Sequence, residues 1–211
     1  MDEPEGNDYL DTHRLQLLGD GVFAIVMTLL VLELHVPELE HPATMELVWA
    51  VITLWPSFYS YFLSFVLLGA FWIGHRLQFH YIPRSNRSLL WINILFYFFI
   101  SLIPFSAAFL GKYYDQQAAV VFYGANLTLA ALVLYANWKY ALRKNLARAV
   151  PPELQREAEK YMLFAPAIYL LAILLSFWST TASVLIYLLT PILYIIPSRL
   201  DELLSTTGTK K

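Results

Sequence analysis

The sequence predicts an all-α polytopic membrane protein with six transmembrane helices. Three observations carry that prediction. Hydrophobic residues make up 58% of the chain and charged residues only 14%, against about one-half and one-quarter in soluble domains. The apolar residues come in blocks longer than a soluble core helix requires. The basic residues also collect in alternate connections, as a six-span chain with both termini cytoplasmic requires.

The first segment is expected over residues 13–35, ending at Pro37 and the acidic HVPELEHPATME loop. The second is expected from Met45 as far as Tyr81. At ~1.5 Å per residue it outruns a ~30 Å hydrocarbon core, so a kink is expected at Pro56. The third spans about 87–110 and contains Pro104. The fourth spans about 117–148 and stops before Pro151 and Pro152, which cannot continue a helix. The fifth covers about 154–178 and the sixth about 183–200. The short WSTTAS link makes the last two a tight hairpin. With both termini inside, thirteen of the fourteen Lys and Arg residues lie on one side and only Lys112 on the other.

The whole chain, 1–211, is thus expected to be one six-helix repeat, with an acidic tail over 1–12 and a C-terminal tail over 201–211. The acidic N-terminus lacks the basic region of a cleaved signal, so the first segment is expected to remain a span. A net charge of −2 gives no reason to expect nucleic acid. The absence of cysteine excludes disulfides and thiolate chemistry. Asn86 heads a glycosylation-like triplet, but on the cytoplasmic side.

The first helix carries the chemistry. Residues 14–34 read RLQLLGDGVFAIVMTLLVLEL, with Asp20 between Gly19 and Gly21. At 100° per residue, with Ile25 at zero, Leu29 falls at about +40°, Leu32 at about −20° and Thr28 at about −60°. Asp20 falls at about −140°, away from this stripe. An apolar stripe ordinarily packs in a bundle or faces lipid. An intramembrane carboxylate, however, marks a functional or structural hot spot, and small neighbours let backbones approach closely. Asp20 needs a partner, and His75 and Asn93 in other spans are candidates. Arg14, six residues earlier, is off its helix face and can reach it only through another helix.

These residues carry a resemblance. Arg14, Leu18, Gly19 and Asp20 resemble the R-x-x-x-F-S-D signature on the first helix of the transmembrane-protein-175 family of potassium channels. Leu18 and Gly19 stand where that signature has Phe and Ser. Trp72 and His75 in FWIGHR, Arg87, Trp91 and Asn93 in RSLLWIN, and Pro104 with Phe105 extend the likeness along the chain. The resemblance implies a homotetramer in a cell membrane, with four first helices lining a K⁺ pore and an Ile/Leu constriction in place of a carbonyl filter. It assigns the constriction to Ile25, with further rings at Leu29 and Leu32 and a polar layer at Thr28. Arg14, Asp20, His75 and Asn93 then form a polar network that braces the helix from behind. No cofactor and no fixed metal ligand are implied, and the partners are the chain itself, K⁺ and the bilayer.

This is not the carbonyl-filter K⁺ channel fold: TVGYG is absent, and the nearest match, residues 121–124, lacks its spacing. The competing reading is a proton-conducting or proton-coupled protein that uses Asp20 and His75 as a relay. A purely structural membrane protein is a third. An intramembrane enzyme is disfavoured, since there is no HExxH, no Cys and no pair of intramembrane acids.

Overall fold

Local signals in the sequence decide where the helices start and stop. The structure, a computed structural model, describes residues 10–39, 43–148 and 150–195. A two-residue strand β1 (Leu10–Asp11) leads into α1 (His13–Leu29), which tightens into a 3-10 turn at Leu30–Glu33. Then follow α2 (Thr44–Thr53), α3 (Trp55–Tyr81), strand β2 (Arg84–Ser85), α4 (Arg87–Ser101), α5 (Ile103–Lys112), α6 (Gln117–Arg143), α7 (Pro152–Leu175) and α8 (Thr180–Ile195).

Asn86 caps α4: its side-chain oxygen accepts from the Leu89 N–H at 3.0 Å, satisfying a donor that the first turn leaves open. That explains the Asn86 triplet as a helix start. Asn145 ends α6. It adopts φ 53°, and Leu146 N–H bonds Ala141 O at 2.9 Å while Asn145 N–H bonds Leu142 O at 3.2 Å. This paired pattern closes a helix around a left-handed residue, so α6 stops at Arg143, short of the expected 148. Pro152 opens α7, where its missing N–H costs nothing.

Two expected segments are each divided. The second breaks at Leu54, and Pro56 sits in the first turn of α3 instead of kinking one long helix. The third breaks at Leu102, with Pro104 in the first turn of α5. The reason is the same in both: a proline ring excludes the preceding turn from its hydrogen bonds but fits a helix start.

Among the described residues five helical stretches are long and apolar enough to cross a membrane: 13–33, 55–81, 87–112, 117–143 and 152–175. The expected sixth span corresponds to α8, which runs 16 residues to Ile195. Residues 196–200 lie outside the described residues, as do both tails apart from residues 10–12. The helix α2 has no buried residue.

Three connections are tied together at one end of the bundle. Strand β1 pairs antiparallel with β2. Thr12 Oγ1 donates to Ile82 O at 3.1 Å, and the Arg148 N–H donates to Tyr81 O at 2.7 Å. The start of α1, the α3–α4 connection and the α6–α7 connection therefore share that end, as the alternating topology predicts. At the core, α6 is walled by α4, α5 and α7. Residues 121–124 lie within α6 with Tyr123 fully buried, so their carbonyls serve helix bonds and form no ion filter.

Candidate pore-lining helix and its polar brace

Seen down its axis, α1 divides into two halves. Leu15, Gly19, Phe23, Val26 and, one residue beyond, Leu30 are buried against the bundle. The other half is open. Ile25 is 61% exposed, Leu29 42% and Leu32 67%, while Val26 is 4%. The stripe of Ile25, Leu29 and Leu32 therefore does not pack inside its own chain. Thr28 lies exposed among them, its hydroxyl donating back to Ala24 O at 3.1 Å and Ile25 O at 2.8 Å. With the proton so engaged, the hydroxyl can offer a passing cation only oxygen lone pairs.

Asp20 sits at the edge of that open half. Its Oδ1 accepts the indole N–H of Trp72, on α3, at 2.8 Å. The Arg76 guanidinium lies over the same indole, 5.4 Å from the ring centroid, one helical turn on. The expected partners of Asp20 were Arg14, His75 and Asn93, and the structure corrects this. The helix rotation that buries Gly19 turns Asp20 towards Trp72 instead. Arg14 is exposed and makes no hydrogen bond or ion pair among the described residues. It falls at about −20°, in line with Ile25.

His75 and Asn93 do meet, behind α1. His75 Nε2 and Asn93 Oδ1 are 3.1 Å apart. From there a buried chain of amides crosses the bundle. Asn93 Nδ2 donates to Asn137 Oδ1 at 2.8 Å and to Leu89 O at 2.8 Å. Asn137 Nδ2 donates to Gln78 Oε1 at 2.9 Å, and Gln78 Nε2 donates to Leu134 O at 3.0 Å. A backbone carbonyl can only accept, so Leu134 O and Leu89 O fix the sense of every amide. Asn93 Oδ1 is then left to accept, which makes His75 Nε2 the protonated nitrogen.

The same histidine stacks on Phe96, centroids 5.4 Å apart and planes within 6°. Tyr97 Oη lies 3.2 Å from His75 Nε2 and donates to Leu15 O at 3.1 Å. Gly19 is what lets Tyr97 in: a Cβ there would stand 2.7 Å from Tyr97 Oη and 3.2 Å from His75 Cε1.

Sequence reasoning named His75 and Asn93 but missed Gln78, Asn137 and Tyr97, and gave Trp72 no role. A signal existed for two of them: Gln78 and Asn137 are amides inside long apolar segments, where an unsatisfied polar group is costly.

The chain is similar to known proteins. A family model described as the endosomal/lysosomal potassium channel TMEM175 matches residues 14–104, which span α1, the Asp20–Trp72 pair, His75 and Asn93. A potassium channel of Chamaesiphon minutus is 33% identical over 186 residues, covering 85% of this chain and 91% of its own. A human endosomal/lysosomal proton channel, TMEM175, is 29% identical over 182 residues, covering 81% of this chain and 36% of its own. The crystal structure of a lysosomal potassium-selective channel TMEM175 homolog from Chamaesiphon minutus superposes with a TM-score of 0.76. Its sequence identity is 30%, with coverage of 87% of this chain and 95% of its own.

Proposed function

The chain belongs to the TMEM175 family, and from that premise we propose that it is a potassium-permeable channel of the cell membrane, one six-helix repeat per subunit, assembled as a homotetramer with both termini cytoplasmic. The observation that carries this reading is the open half of α1. A helix that buries Val26 and Leu30 yet exposes Ile25, Thr28, Leu29 and Leu32 has a second face that its own bundle leaves uncovered. One helix cannot enclose a pore, so the four-fold copies complete it, and each residue becomes a ring.

In such a pore Ile25, Leu29 and Leu32 form the constriction. A narrow apolar ring gates by dewetting. It penalises the more strongly hydrated Na⁺ more than K⁺, and the Thr28 oxygens offset part of the dehydration cost. In the brace, Trp72 holds Asp20 at the edge of the open half, while behind α1 the His75–Asn93 amide chain holds α3, α4 and α6 together. Arg14 then lies at the inner mouth on the pore side of α1 and has no part in that brace.

A proton-conducting function is the second reading, favoured by the name of the human relative. The relay drawn for it from Asp20 to His75 has no direct hydrogen bond, since Asp20 is bonded to Trp72 and His75 to Asn93 and Tyr97. The test is flux into liposomes under K⁺, Na⁺ and H⁺ gradients, with native mass measurement in mild detergent. Flux that follows K⁺ and is indifferent to the pH gradient, from a tetramer, supports the channel. Flux that requires a pH gradient supports the second reading, and a monomer as the sole conducting species overturns the pore.

A further inference from the structure

A slot of about 410 Å³ runs along α3 on the side that faces α6 and α7, from Phe65 to Tyr81. At 1.5 Å per residue this is ~24 Å of helix, so the space is long and narrow. Its α3 wall is made shallow by Gly69, Ala70 and Gly74, and its lining is predominantly apolar. Both α3 and α7 belong to stretches that can cross a membrane. At bilayer depth an acyl chain is the apolar material at hand.

The two ends of the slot differ. The end at Tyr81 also carries Trp138, an amphipathic ring of the kind that settles at the headgroup level. Arg148 is fixed at this same lip. Its N–H bonds the carbonyl of Tyr81, and Val150, two residues on, lines the slot. The Arg148 side chain is exposed and unpaired among the described residues, and Arg143 and Lys144 are exposed on the same connection.

We propose that this slot binds an anionic phospholipid of the bilayer, with an acyl chain lying along Gly69 and Gly74 and the phosphate held at Arg148. Met27 of α1 also lines the slot; at about −160° it lies beside Asp20, so the bound chain touches α1 at the edge of its open half. The inference concerns a lipid site and stands or falls independently of what the protein conducts.

Native mass spectrometry of the full chain, titrated with phosphatidylglycerol and separately with phosphatidylcholine, tests it. Wild type should bind phosphatidylglycerol about fivefold more tightly than phosphatidylcholine, the factor for one basic side chain at an anionic lipid surface. Gly69→Phe should lose both lipids, because Gly69 lines the slot and a Cβ there meets nothing within 4 Å, so the added ring takes up space the acyl chain would need. Arg148→Glu should keep lipid but lose the preference for phosphatidylglycerol. Equal binding by wild type and Gly69→Phe overturns the slot, and an unchanged preference in Arg148→Glu overturns the phosphate position. A change of oligomeric state in Gly69→Phe with lipid binding intact would assign the slot to a second copy of the chain and overturn the proposal.

Discussion

The indole N–H of Trp72 reaches the carboxylate of Asp20 at 2.8 Å, and this bond joins α3 to the edge of the open half of α1. Arg76 lies over the indole face while Asp20 meets its N–H edge, so one ring carries both contacts. A carboxylate in this position is costly without a donor. Trp72→Phe keeps an aromatic ring but removes the donor, which should cost about 1.5 kcal/mol, the low end of the range for a hydrogen bond to a charged group, since this bond is exposed. Asp20→Asn should cost less, because its amide oxygen still accepts. Thermal unfolding in detergent would check the order, and a Trp72→Phe protein as stable as wild type would remove the bond from the brace.

Gly19 and Tyr97 form a matched pair. Because a Cβ at Gly19 would stand 2.7 Å from Tyr97 Oη, Gly19→Ala should destabilise even though alanine is the better helix former. Removing the hydroxyl with Tyr97→Phe should relieve most of that penalty. The double mutant should therefore be more stable than the sum of the single mutants by about 1 kcal/mol, within the range for residues in contact. Additive effects would show that the close approach is not what requires glycine.

The helical segments and the open stripe were legible in the sequence because both follow from periodicity. A 100° rotation per residue places Ile25, Leu29 and Leu32 together wherever the helix lies. The partner of Asp20 was not legible, since it depends on which way α1 rolls against α3. That roll is set by the burial of Gly19 and Phe23, a tertiary fact. The breaks at Leu54 and Leu102 were half legible. Pro56 and Pro104 announce a disturbance, but whether a proline bends one helix or starts another is decided by packing around it. Asn145 gave the least warning, as one asparagine among several, and only its left-handed backbone marks it as the end of α6.

The amide chain from His75 to Gln78 has one allowed direction, and this yields a sharp comparison. Asn137→Asp is nearly isosteric, yet as a carboxylate it offers no donor to Gln78 Oε1, and Gln78 cannot turn because its Nε2 is held by Leu134 O. Leaving a buried acceptor unpaired costs about 1–3 kcal/mol. Asn137→Asp should therefore lower the melting temperature clearly despite its fit. The same direction requires the Nε2–H tautomer of neutral His75, readable from imidazole ¹⁵N shifts. Observation of the Nδ1–H form would mean that the chain runs otherwise.

The decisive comparison sets Ile25 against its neighbour Val26. Ile25 is 61% exposed and Val26 4%, although both belong to one apolar run. If Ile25 rings a pore, Ile25→Asn wets and widens the constriction, and its amide replaces hydration that K⁺ and Na⁺ lose there. K⁺ flux should rise, the preference for K⁺ over Na⁺ should fall, and the melting temperature should change little. Val26→Asn instead places an amide inside the bundle without a partner, at about 1–3 kcal/mol by protein mutational data. It should therefore destabilise without raising flux. If Ile25 faced lipid, Ile25→Asn would give no gain of flux, whatever it did to stability. Liposome flux of both cations, measured beside thermal unfolding for the two variants, separates these outcomes. Equal behaviour of Ile25→Asn and Val26→Asn would take Ile25, and with it Thr28, Leu29 and Leu32, out of the conduction path.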